Sequence, residues 1–152
     1  MAEMIKVLVI DDDALVRVGL SAVLSAAEDI EVVGEASDGT DAVAAVQNLR
    51  PDVVLMDIRM PGLDGLSATA AVRSLENPPA VIVLTTFDTD DHILRALRAG
   101  ANGFLLKDMP PRQIQDAVRS VAAGDSMLSP AVVGRLIDYV VRARAGTAPH
   151  RR

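Results

Sequence analysis

Cysteine is absent from the chain, which excludes disulfide frameworks, thiolate metal sites and cysteine nucleophiles. Aromatic residues are nearly absent too: Phe87, Phe104 and Tyr139 are the only ones among 152 residues, although half the residues are apolar. The core must therefore be built from Val, Leu, Ile and Ala, which suits an α/β sandwich, and the length fits one domain large enough to need neither disulfides nor a structural metal. No stretch reaches the roughly 18 uninterrupted apolar residues that cross a bilayer. The start MAEMIKVLVIDDD meets three carboxylates before any signal-peptide cleavage site. The chain is thus expected to be cytoplasmic, with no membrane partner. Lysine is scarce as well, limited to Lys6 and Lys107.

The charge present is predominantly negative, with a formal net of -6. An acidic body does not suit direct binding to nucleic acid, where Lys and Arg contacts to phosphate dominate affinity. The exception is the end of the chain, where Arg142, Arg144, Arg151 and Arg152 occur without an acid, and where Gly146 and Pro149 mark a loose tail or the start of a linker.

Apolar runs alternate with helical periodicity, the pattern of a parallel sheet with helices on both faces. Strands are expected at Lys6–Ile10, Ile30–Ala36, Val53–Met56, Ala80–Leu84 and Phe104–Leu106. Helices are expected at about Ala14–Ala27, Thr40–Leu49, from the end of the loop Ile58–Gly65 to about Leu75, Thr89–Ala99, and from Pro110-Pro111 to about Ala123. In the first helix Leu15, Val18, Ala22, Val23 and Ala26 form an apolar face. Proline suits the first turn of the fifth helix because its missing N–H has no partner to lose there. Ser129-Pro130 repeats such a start signal for a sixth helix, Ala131 to about Val141, with a stripe of Val132, Leu136, Ile137 and Val140.

In an open parallel sheet, sites lie where the strands end at their carboxyl edge. The residues just past the apolar runs are Asp11 and Asp12, then Asp57, Thr85 and Lys107. Carboxylates crowded into a small site raise one another's pKa unless a cation compensates, and an all-oxygen cluster favours a hard ion such as Mg²⁺. Magnesium often recruits phosphate oxygens, lysine adds the remaining positive charge, and a carboxylate nucleophile yields an aspartyl phosphate. Taken singly, the same residues have plainer roles: Asp13 as a helix cap, Phe104 as a core aromatic.

The runs VLVIDDD at 7–13, VVLMDIRMPGLDG at 53–65, VIVLTTF at 81–87 and ANGFLLKD at 101–108 resemble the response-regulator receiver family in order and separation. The resemblance implies a flavodoxin-like, doubly wound, five-stranded parallel sheet, here with an extra C-terminal helix. It implies Asp57 as phosphoacceptor and magnesium on Asp12, Asp57 and the backbone carbonyl of Arg59, with Asp11 in support. It also implies phosphoryl contacts from Thr85 and Lys107, and Phe104 as an aromatic that turns with Thr85. Lys107-Asp108 and GDSMLSPAVVGRLIDYVV are similar to the NarL/FixJ subfamily, whose members usually carry a helix-turn-helix. Residues 1–124 are then the receiver domain and 125–152 a C-terminal helix and the start of a linker, with the output domain absent from this chain. A cognate histidine kinase, a homodimer formed on phosphorylation, and DNA reached only through the output domain follow as implied partners.

Three departures from the general receiver pattern stand out. Asp108 occupies a position where proline is common, so a cis bond after Lys107 is not assumed. Thr86 stands where alanine is common and adds a hydroxyl near the phosphoryl group. Arg59 and Phe87, each two residues beyond a site residue, are placed to shield an acyl phosphate from water and slow its loss. The competing class is a haloacid-dehalogenase-type phosphatase, which also uses an aspartate and magnesium; Asp11-x-Asp13 has its spacing, but Leu15 stands where its threonine belongs.

Overall fold

The computed structural model describes residues 4–58, 64–85, 90–107 and 109–128, together with 133–134, 137–138 and 140–142; for 90–93 only the backbone is described. The strands are β1 (Ile5–Ile10), β2 (Ile30–Ala36), β3 (Val53–Asp57), β4 (Ala80–Thr85), β5 (Gly103–Leu106) and β6 (Met127–Leu128). The α-helices are α1 (Ala14–Ser25), α2 (Ala42–Leu49), α3 (Gly65–Arg73), α4 (Asp90–Arg98) and α5 (Pro111–Ala122), with a 3-10 turn at Gly39–Asp41 before α2. The strands form one sheet in the order β2-β1-β3-β4-β5-β6, and every pairing is parallel.

The central strands are buried on both faces, as β-branched runs without polar alternation require. One layer of core lies under α2, α3 and α4 and joins Leu8, Ile10, Val54, Met56, Val83 and Phe104. The other lies under α1 and α5 and joins Val9, Leu24, Leu55, Leu84, Ile114 and Val118. The helix starts follow the capping chemistry in the sequence. Asp13 accepts from the N–H groups of Leu15 and Val16, Asp64 accepts from Ser67 N–H, and Pro111 opens α5.

The five expected strands are present, and a sixth is added. β6 pairs with β5 through Gly103–Met127 and Phe104–Leu128, so residues assigned to the connection toward a sixth helix instead extend the sheet. A Cβ on Gly103 would stand 2.8 Å from the Met127 carbonyl oxygen, so this close pairing depends on glycine. The expected apolar face of α1 is also corrected. Leu15 and Val18 are 79% and 62% exposed, and the helix instead buries Leu20 and Leu24. The reason is that α1 is apolar around most of its circumference, so the rows 15-18-22 and 16-20-24 both fit helical spacing. Of the sixth helix, residues 133–134, 137–138 and 140–142 are helical, and Ile137 and Val140 are exposed. Val132 and Leu136 of its expected stripe lie outside the described residues.

Candidate functional site at the carboxyl edge of the sheet

β1 and β3 are adjacent, and each delivers an aspartate at its carboxyl end. Asp11 is 1% exposed and Asp57 6% exposed, whereas Asp12 is exposed. One carboxylate oxygen from each of Asp11, Asp12 and Asp57 lies within 4.8 Å of the others. β4 brings Thr85, 3% exposed, to the same edge, and β5 hands the chain to Lys107, whose N–H donates to the Thr85 carbonyl at 2.8 Å. Four strand ends therefore converge, as the sequence indicates.

Lys107 sits between the buried carboxylates. Its Nζ is 2.6 Å from Asp11 Oδ2 and 3.1 Å from Asp57 Oδ1. Burial alone pulls the ammonium below the ordinary lysine value of 10.5, but Asp11 and Asp57 outweigh that and hold its pKa above it. Lys107 is thus a permanent cation at neutral pH.

Asp11 is held at each of its polar atoms. Its N–H donates to Ala36 O at 3.0 Å, its carbonyl accepts from Arg17 Nη1 at 2.6 Å, and its Oδ1 accepts from Asp13 N–H at 2.9 Å. The buried Oδ2 is paired with the Lys107 ammonium. Three carboxylates grouped in this way are an all-oxygen donor set that fits a hard, oxygen-seeking divalent cation.

Behind Asp57, Gly65 opens α3 against the strand. Its N–H donates to Ile58 O at 2.8 Å, and a Cβ there would overlap the Asp57 carbonyl oxygen. Phe104 is fully buried in the core layer that also contains Val83 and Ala96. Arg59, Thr86, Phe87 and Asp108 lie outside the described residues. Arg17 and Gly65 were not singled out from the sequence: an arginine one turn into a helix reads as solvated, and a glycine after a capping aspartate reads as a loop residue.

A doubly wound parallel sheet presenting three carboxylates, a threonine and a lysine at one edge has counterparts among known proteins. The family model described as response regulator receiver domain matches residues 7–119, and the chain belongs to this family. LiaR, a transcriptional regulatory protein of Bacillus subtilis, is 42% identical over 147 residues, covering 97% of this chain and 70% of LiaR. The response regulator VraR of Staphylococcus aureus is 41% identical over 132 residues, covering 87% of this chain and 63% of VraR. The signal receiver domain of NarL from Mycobacterium tuberculosis superposes with a TM-score of 0.77 at 43% identity, covering 80% of this chain and 98% of that one. These relatives place the chain in the NarL/FixJ group of receivers, and it spans about two-thirds of the length of the full-length regulators it matches.

Proposed function

We propose that Asp57 is the phosphoryl acceptor of a two-component system and that the surrounding residues catalyse its modification. The observation that carries this reading is Lys107, held between Asp11 and Asp57 at the edge where Thr85 also emerges. In it, a carboxylate oxygen of Asp57 attacks the phosphorus of a kinase phosphohistidine or a small acyl phosphate. The P–N or P–O bond to the donor breaks, and the bonding pair leaves with the donor. Asp11, Asp12 and Asp57, with the backbone carbonyl of Arg59, would hold Mg²⁺, which when bound would supply positive charge to the phosphoryl group.

Lys107 and Thr85, with Thr86, donate hydrogen bonds to the new phosphoryl oxygens, so the protein is both substrate and catalyst of its own modification without turning over an external substrate. The receiver match over 7–119 sets aside the phosphatase alternative. Drawing Thr85 inward frees Phe104 to turn and biases a two-state equilibrium in the α4–β5–α5 region. Dimerisation, and DNA binding through an output domain of the kind implied by the full-length relatives, is the proposed readout of a transcriptional regulator working in the cytoplasm. Arg59 and Phe87 shield the acyl phosphate and slow its loss.

Incubation with acetyl phosphate, read on a phosphate-retaining gel with and without EDTA, tests the reading. A retarded band that needs magnesium is expected. A band of equal intensity in EDTA contradicts the metal assignment, and no band at all contradicts the acceptor assignment.

A further inference from the structure

Asp12 is the most exposed of the three clustered carboxylates, and a metal site requires its side chain to stay turned toward Asp11 and Asp57. What holds the backbone beneath it is the Asp11–Asp12 peptide plane. The carbonyl of that plane accepts from Arg17 Nη1 at 2.6 Å. The other edge of the guanidinium meets Glu35 near the end of β2, with Nε 3.3 Å from Oε1, and Glu35 Oε2 in turn accepts from Ser21 Oγ at 2.9 Å. Arg17 is partly buried, its side chain 19% exposed, while Glu35 is exposed, and the pair forms a brace reaching from α1 and β2 to the acidic loop.

Resting on the metal reading above, we infer that Arg17, braced by Glu35 and Ser21, is a positioning residue that sets the Asp11–Asp12 peptide for cation binding. Its geometry and its charge act in opposite directions. As a nearby cation Arg17 repels Mg²⁺, so removing it should tighten binding if charge were all that mattered. As a clamp its removal lets the peptide plane rotate and weakens binding, and groups that orient metal ligands typically contribute about 10- to 100-fold in affinity. Lysine keeps the charge but cannot span the carbonyl and Glu35 with a planar fork.

The test is a Mg²⁺ titration of the unphosphorylated full chain followed by amide NMR shifts, on wild type, Arg17→Ala and Arg17→Lys, with folding checked by far-UV circular dichroism. Clamping predicts a dissociation constant raised about 10-fold in Arg17→Ala, and raised, though less, in Arg17→Lys. If Arg17→Ala does not fold, Arg17→Lys decides. An affinity equal to or tighter than wild type in either folded variant overturns the inference and leaves the proposed function standing. Absence of Mg²⁺-dependent shifts in wild type overturns the metal reading itself, and the inference with it.

Discussion

Replacing Gly65 by alanine tests how tightly the start of α3 is fitted behind the acceptor strand. The added Cβ would overlap the Asp57 carbonyl oxygen and stand 2.7 Å from Ile58 Cα and 2.8 Å from the Asp57 carbonyl carbon. All three obstructions are backbone, so no side chain can rotate away, and either β3 or α3 must shift. Overpacking of this kind costs about 1–3 kcal/mol, and immovable neighbours place Gly65→Ala in the upper half, about 2–3 kcal/mol. At roughly 2–4 °C per kcal/mol for a chain of this size, the midpoint should fall by about 4–12 °C.

Gly19→Ala is the internal control. A Cβ there meets nothing within 4 Å, and the residue lies inside α1, so alanine should stabilise by about 1 kcal/mol through helix propensity. Urea unfolding followed by far-UV circular dichroism measures both variants. Because the displaced atoms belong to Asp57 itself, phosphoryl uptake by Gly65→Ala should also slow by about 10-fold or more, misplacement near 1 Å being enough for such losses. Equal urea midpoints for Gly65→Ala and wild type, or destabilisation by Gly19→Ala of the same size, would refute the reasoning.

Three further outcomes follow from the site and its supports. Lys107→Met leaves Asp11 and Asp57 facing each other without the ammonium, so thermal stability should fall in EDTA and recover with Mg²⁺ by more than wild type gains; equal Mg²⁺ gains would contradict this. Asp29 accepts two hydrogen bonds from Arg119, at 2.8 and 2.9 Å, which hold its carboxyl below the usual 3.8. A depressed folded pKa gives stability that is present above 3.8 and lost as pH falls through the lower folded value, so Asp29→Asn should narrow the gap to wild type only in that acid range; a constant gap down to the acid limit of folding would count against it. Gly103→Ala should loosen β6, read as faster amide exchange at Met127 with β1 and β3 unchanged; unchanged exchange at Met127 would show that the close approach is not required.

Much of the fold is legible because β1, β3 and β4 contain the apolar runs Val7–Ile10, Val53–Met56 and Ala80–Leu84, whose short length and β-branched content suit strands covered on both faces. The site is legible for a related reason: in such a sheet, the first polar residue after each run must emerge at one edge. That rule picks out Asp11, Asp57, Thr85 and Lys107. The inward face of α1 was not legible, since apolar residues surround the helix and only the packing of Leu20 and Leu24 against the sheet selects a side. β6 was not legible either. Two residues carry no periodicity, and Met127 and Leu128 become a strand only because Gly103 admits their backbone. The Arg17 brace depends on the end of β2 lying beside the first turn of α1, a tertiary relation with no local signal.

Intact-mass measurement after incubation with acetyl phosphate and Mg²⁺, on wild type and Asp57→Asn, tests the acceptor assignment most directly. Wild type should gain the mass of a single phosphoryl group and Asp57→Asn none. An unmodified wild type, or a variant modified to the same extent, would contradict it.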